Sequence, residues 1–329
     1  MKGIAQSFYR LFPVWVILST LLGLIYPSTL SWFSGQWIIW ALTLVMLGMG
    51  FTLSIRDFRG IFHMPGSVAI GILAHYTIMP LSGWTIAHLL KLDAGLAVGV
   101  IIVACCPSGT ASNFMTYLAK ANVALAVTIT LASTMLAFIM TPLWCQTLAG
   151  QYASVDGWGL SRTTLQVIVL PILVGVYCKW RFPGTVAVLS GYGPLVSVAA
   201  LIMIAGGIAA QGADAVIANA EKLFFSAILL HLMGFALGYA LSRLLRLPEQ
   251  VARTISIEVG MQNSGLAMVL AKRNFSHEPL AAVPAVFSSV VQTLVGSLVA
   301  GYWSTRLPPQ ESEIGPREQD MKTKSINKV

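Results

Sequence analysis

The chain has 329 residues, of which 56% are hydrophobic and only 10% charged, whereas a soluble domain carries roughly 25% charged residues. So few charges cannot cover a soluble fold of this size, which excludes a water-soluble enzyme or a pair of globular domains. The net charge of +8 sits in short loops and a tail without a basic-aromatic stripe, so it reads as a membrane topology signal and not as a nucleic-acid interface.

Apolar runs of about 20 residues can each cross a hydrocarbon core. They are predicted at roughly 11–27, 36–54, 65–90, 94–119, 122–147, 160–180, 188–210, 222–245, 249–272 and 279–304. The first is a span and not a cleaved signal peptide, because Leu11 to Tyr26 lacks a small-residue cleavage site. With the N-terminus inside, 15 of the 20 Lys and Arg residues fall on the cytoplasmic side, leaving Lys91, Arg162, Lys222, Lys272 and Arg273 opposite. That bias predicts both termini in the cytoplasm of an inner-membrane, all-α polytopic protein. Residues 1–305 form one transmembrane transporter domain on this reading. Residues 306–329, polar and charged with Pro308-Pro309, read as a disordered cytoplasmic tail. Cys105, Cys106, Cys145 and Cys178 lie in apolar segments without metal-ligand spacing and read as small core residues. Trp15, Trp32, Trp37, Trp40, Trp84 and Trp144 read as interfacial anchors.

An internal repeat is faint but well placed. Residues 111–120, ASNFMTYLAK, align without gaps to 263–272, NSGLAMVLAK, with Ser, Leu, Ala and Lys coincident. The matched stretches lie in the fourth and ninth spans. Five spans per half is odd, so halves of about 8–150 and 155–305 have opposite topology. Inverted repeats with a site at their interface are a secondary-transporter architecture.

Both matched spans look broken. Cys106-Pro107-Ser108-Gly109-Thr110 interrupts the fourth, and Glu258-Val259-Gly260-Met261-Gln262-Asn263-Ser264-Gly265 interrupts the ninth. Unwound backbone at membrane depth is tolerated only where it is buried in protein or lines a cavity. Its freed carbonyls favour cations, and half-helix N-termini favour anions. Glu258 is the one acidic side chain placed near the midplane, where an unpaired charge is costly. Gln262, Asn263, Thr110, Ser112 and Asn113 offer neutral oxygens nearby. One carboxylate among neutral oxygens suits a hard monovalent cation better than Ca²⁺ or Zn²⁺. Sodium is the natural candidate and a proton its competitor.

These motifs, with Gly109-Thr110-Ala111-Ser112-Asn113 and the closing Gly296-Ser297-Leu298-Val299-Ala300-Gly301-Tyr302-Trp303-Ser304, resemble the bile acid:sodium symporter family in its bacterial branch. The resemblance covers residues 8 to about 305. It implies a ten-helix inverted repeat in which a panel of spans 1, 2, 6 and 7 faces a core of spans 3–5 and 8–10, with broken helices 4 and 9 crossing. It implies a first sodium site of Ser112, Asn113, Thr130 and Glu258. The second would use Glu258, Gln262 and the backbone oxygens of Val259 and Met261. His75 stands where members carry Gln or His near that second site, and a core histidine bonded to a carbonyl is the other reading. Asn113 and Asn263 would face the substrate, with Thr110 beside them and Gln292 where relatives carry His. Ala126 stands where several members have a Ser ligand, so one hydroxyl of the first site is missing.

The function so implied is sodium-coupled import of a small organic anion by alternating access, a pantoate-like monocarboxylate in preference to a bile acid. A proton-coupled carrier is the alternative. A channel would need a continuous pore, usually ringed by repeated charges or carbonyls. An intramembrane enzyme would need a base for Ser108, and His75 and His231 lie on other spans. A sensor without transport stays open as an alternative of another class, although no signalling domain is attached.

Overall fold

The computed structural model describes residues 12–306, which are helical with turns and a single two-residue bridge. Lys2, Arg10, the side chains of Arg56 and Arg59, and the tail from residue 307 lie outside the described residues. Helices occupy all ten stretches read as spans. The first two are α1 (Phe12–Ile25) and α2 (Gln36–Thr52), followed by α3 (Ile55–His63) and α4 (Pro65–Leu89). The fourth stretch is split into α5 (Ala94–Cys105) and α6 (Ala111–Leu118), and α7 (Val123–Leu148) closes the first half.

In the second half, α8 (Gly157–Thr164) runs through a π turn at Leu165–Val169 into α9 (Leu170–Arg181). Pro171, which has no N–H to give, sits at the end of that turn. Then come α10 (Pro183–Ser190), α11 (Gly193–Gln211), the short α12 (Ala213–Ala218) and α13 (Ala220–Leu244). The ninth stretch is split into α14 (Glu249–Gly260) and α15 (Ser264–Asn274), and α16 (Val283–Ser304) is last.

By length and apolar character alone, four helical stretches qualify as spans among the described residues: Val123–Gln151, Gly157–Arg181, Ala220–Leu244 and Pro279–Ser304. The bent pair Pro183–Ser190 and Leu195–Gln211 makes a fifth. Several others are apolar but short, and the fourth and ninth stretches are divided by their breaks. The seventh begins earlier than the residue 188 expected of it and bends between α10 and α11. Two helices, α3 and the short α12, had no counterpart in the hydropathy profile. α3 starts where the Ser54 N–H and hydroxyl both donate to Asp57 Oδ2, at 2.6 and 2.8 Å, a capping arrangement at its N-terminus.

The helices pack as two groups. α1 lies on α11, and α2 lies on both α9 and α11; α4 packs on α5, α7, α13 and α14, and α13 also packs on α14 and α16. Small residues let backbones meet. A Cβ added to Gly175 on α9 would stand 2.8 Å from the Gly50 Cα on α2, the close approach typical of packing in lipid. Large apolar side chains remain exposed outside, among them Leu298 at 75%, Trp40 at 66% and Leu73 at 66%. In water such a surface would aggregate; in a bilayer it faces acyl chains. The chain is a multi-pass membrane protein.

A polar staple closes one end of the second group. Arg253, nearly buried, donates from Nε to Glu249 Oε1 at 2.8 Å. Its Nη1 donates to the carbonyls of Trp303 at 3.2 Å and Arg306 at 3.0 Å, beyond the last turn of α16. Tyr239 and Arg243 also donate to Glu249. Cations at helix C-termini are favourable. Replacing Arg253 by Met strips those carbonyls of a donor, although Glu249 keeps two others. Thermal unfolding of Arg253→Met in detergent is expected to show a loss of about 2 kcal/mol.

Candidate cation and substrate site

The two breaks face each other and satisfy each other. Ser108 and Gln262 pair as an antiparallel bridge. The Gly109 N–H donates to the Met261 carbonyl at 3.0 Å, and the Asn263 N–H to the Pro107 carbonyl at 2.8 Å. Pro107 and Gly109 make this possible, the first by ending α5 and the second by having no side chain. A Cβ at residue 109 would stand 2.5 Å from the Gln262 carbonyl oxygen. The backbone that helix breaking frees is thus accounted for inside the protein, as burial at membrane depth requires.

Glu258 lies at the heart of this crossing, fully buried. Its Oε1 accepts from Ser112 Oγ at 2.5 Å; its Oε2 accepts from Ser108 Oγ and Thr130 Oγ1, each at 2.7 Å. An ionised carboxylate offers about four acceptor positions, so three hydroxyls leave room for a further partner. Two expected neighbours supply bare oxygens. Asn113 Oδ1 and Gln262 Oε1 are buried without any hydrogen-bond partner. Buried acceptors in a folded protein are normally matched, and a hard cation matches oxygen acceptors. The donor set fits sodium: one carboxylate, hydroxyls, carboxamide oxygens and backbone carbonyls. Among the described residues no three His, Cys, Asp or Glu side chains converge.

His75, from α4, is buried with both ring nitrogens on carbonyls: Nδ1 is 3.0 Å from that of Glu258 and Nε2 2.9 Å from that of Cys106. The ring therefore ties the end of α5 to α14. Of the other oxygens expected in a second site, the Val259 carbonyl accepts from Gln262 Nε2 at 3.3 Å and that of Met261 from Gly109. His231 is the counterpart of His75 on α13. Its Nδ1 lies 2.8 Å from the Gly260 carbonyl and its Nε2 2.8 Å from Ser288 Oγ, so it also braces the end of a half-helix.

A cavity of about 60 Å³ opens on the other side of the crossing. Val16, Leu42, Val45, Met46 and Leu201 wall one side; Thr110, Asn263, Ser264, Gly265 and Gln292 wall the other. Three of the four residues expected at a substrate line it: Thr110, Asn263 and Gln292. Asn113 does not, and its side-chain oxygen is buried without a hydrogen-bond partner. Gln292 is already engaged. Its Oε1 accepts from the Gln262 N–H at 2.7 Å, and its Nε2 donates to the Gln262 carbonyl at 3.0 Å and to Ser264 Oγ at 3.2 Å. It clamps the unwound strand and presents little to a ligand. Asn263 Oδ1 caps α15 by accepting from the Leu266 N–H at 3.0 Å. Ser108 was legible only as a residue of the break. Its role against Glu258 depends on extended backbone turning its side chain toward α14.

The comparisons with known proteins agree with this geometry. The family model described as the Sodium Bile acid symporter family matches residues 39–219. The chain is 44% identical over 310 residues to the probable sodium/metabolite cotransporter BASS1, chloroplastic, of Arabidopsis thaliana, covering 94% of this chain and 77% of that protein. It is 42% identical over 313 residues to the probable sodium/metabolite cotransporter BASS2, chloroplastic, of Oryza sativa subsp. japonica, covering 95% and 74%. It is 41% identical over 313 residues to the uncharacterized sodium-dependent transporter YocS of Bacillus subtilis, covering 95% and 96%. All three are named as transporters and none as an enzyme. On the family match, and on identities above 40% along nearly its whole length, the chain belongs to the sodium bile acid symporter family.

Proposed function

We propose that the protein is a sodium-coupled symporter that imports a small organic monocarboxylate, of pantoate-like size, across a bacterial inner membrane. The observation that carries this reading is Glu258, buried under three hydroxyls beside two unpartnered carboxamide oxygens. The names of the relatives add sodium and a metabolite. On this reading residues 1–305 cross the membrane ten times as two inverted halves with both termini cytoplasmic. Two sodium ions are bound, the first by Ser112, Asn113, Thr130 and Glu258. The second is held by Glu258, Gln262 and the carbonyls of Val259 and Met261, while His75, expected beside it, has both ring nitrogens on carbonyls and braces the breaks instead.

The substrate stands on the cavity side, near Thr110 and Asn263, where α6 and α15 begin. Helix N-termini favour an anion there. The cavity, at about 60 Å³, is small beside the roughly 300 Å³ or more of a typical ligand pocket. Loading therefore requires the wall of α1, α2 and α11 to withdraw from the crossing, which is the motion alternating access needs.

Charge sets the coupling. Two sodium ions against one carboxylate leave an excess of one positive charge, which a monoanion neutralises in a poorly solvated site. Each turnover then carries net positive charge inward. In reconstituted vesicles, sodium-driven uptake of a small monocarboxylate is expected with an inward current. Uptake without current would mean one sodium per substrate, and preference for a cationic substrate would overturn the assignment.

A further inference from the structure

Three buried helix faces meet around Glu258, and they do so in two layers. In the upper layer Glu258 of α14, Ser112 of α6 and Thr130 of α7 are joined by hydrogen bonds. One helical turn away on the same faces lie Thr254, Thr116 and Ala126. All three belong to the end nearest the turn between α6 and α7. Thr254 Oγ1 accepts from the Asn122 N–H at 2.9 Å, the Thr116 carbonyl accepts from the Ala121 N–H at 3.1 Å, and the Ala126 N–H donates to the Asn122 carbonyl at 3.0 Å.

The polar groups of this lower layer are not equally served. Thr254 Oγ1 is satisfied, because it also donates to the Gln250 carbonyl at 2.8 Å. Ala126 brings only a methyl. Thr116 is 0% exposed, and its Oγ1 has no hydrogen-bond partner. A threonine in a helix ordinarily returns its hydroxyl to the preceding turn, as Thr128 does to Ala124 at 2.8 Å. Thr116 does not. An isolated buried hydroxyl costs about 1–3 kcal/mol relative to a matched one, so an apolar isostere would serve a purely packed position better.

A second orphan lies on the same short helix. Asn113 Oδ1, three residues before Thr116, is also buried and unpartnered. The carboxylate oxygen that Ser112 meets, Oε1, accepts one hydroxyl where Oε2 accepts two. Unmatched acceptors on the same short helix as Ser112 call for a partner that takes oxygen lone pairs and gives no competing acceptor. A monovalent hard cation does so.

We propose that Thr116 Oγ1 is a direct ligand of the cation held by Glu258, supplying at this layer the hydroxyl that Ala126 does not. The inference rests on the sodium reading above and adds a residue to it. Thr116 then carries no stability benefit in the absence of cation. Its benefit exists only with the cation bound, which gives its removal opposite signs under the two conditions.

The test is thermal unfolding of the purified full-length protein in detergent, titrated with sodium chloride and balanced with choline chloride. In the parent, the unfolding temperature rises with sodium, because a ligand that binds only the folded state stabilises by mass action. Thr116→Val is expected to unfold at a higher temperature than the parent without sodium. It should need about tenfold more sodium for half of the parent's rise, the loss of one modest interaction. Thr116→Ser should stay close to the parent in both respects. If Thr116→Val fails to fold, Thr116→Ala against Thr116→Ser carries the same comparison of sodium concentrations. An unchanged sodium concentration for that same rise in the hydroxyl-free variant overturns the inference and means that a water or nothing meets Thr116. A parent without any sodium response overturns the sodium reading as well, so the two failures are told apart.

Discussion

Glu258→Gln and Glu258→Ala are both expected to reduce sodium-driven uptake to the background of empty vesicles while the protein still elutes as a folded, monodisperse species. Among the described residues the carboxylate is the only acidic group at the crossing, and both proposed cation sites share it. A cation in a dry site without a counter-charge loses the several kcal/mol that a buried pair supplies, about 3–5 kcal/mol. At 1.4 kcal/mol per factor of ten, that is about 100-fold or more in affinity. The glutamine variant separates charge from shape. It keeps one acceptor oxygen, but its amide must turn N–H groups toward hydroxyls that now donate to the carboxylate, namely those of Ser108, Ser112 and Thr130. Those hydroxyls can rotate to accept, so the fold survives and cation binding does not. Without sodium both variants are expected to unfold no earlier than the parent, and sodium should no longer raise their unfolding temperature. Retained sodium-driven uptake in Glu258→Ala would falsify the site.

How much of this was legible in the sequence depends on the kind of signal. The broken helices were legible because proline, glycine and polar residues inside apolar runs have no other use at membrane depth. The breaks fall where expected, at residues 106–110 and 261–263. Glu258 was legible for the same reason: burying one charge among so few is expensive. The partnership between breaks was not legible. The bridge of Ser108 with Gln262 joins residues more than 150 positions apart, and no local pattern encodes it. Gln292 came only from the resemblance, which puts a His of relatives at its position. It lines the cavity, and it also meets a backbone demand, created by unwinding at Gln262, that no local pattern announces. α3 escaped because its capping serine and aspartate lie in a short polar stretch that a hydropathy window averages away. Thr116 had a signal that periodicity could have read, since it stands one turn from Ser112 on the same face. Only its missing partner distinguishes it from a packing threonine.

Gly109→Ala is expected to be nearly as damaging as loss of the carboxylate, by a different route. The added Cβ would stand 2.5 Å from the Gln262 carbonyl oxygen and 3.0 Å from its carbon. Both are backbone atoms, so no rotamer relieves the clash. Residue 109 must retreat, and its N–H donates to Met261 while the neighbouring Pro107 carbonyl accepts from Asn263. Overpacking costs about 1–3 kcal/mol, and each of those two bonds adds about 1 kcal/mol when it lengthens. The consequence reaches function because Gln262 and Asn263 line the cavity, and the Met261 carbonyl and Gln262 belong to the proposed second cation site. A shift of the strand moves the Gln262 oxygen away from Glu258 and turns the start of α15 from the cavity. Gly109→Ala is therefore expected to lose most sodium-driven uptake and about 3 kcal/mol of stability. Gly66→Ala is the control, since an added Cβ there meets nothing within 4 Å and alanine is the better helix former. It should transport like the parent and unfold at the same temperature or slightly above. If Gly109→Ala behaves as Gly66→Ala does in both measurements, the two breaks are not held in register, and the crossing cannot be what couples cation to substrate.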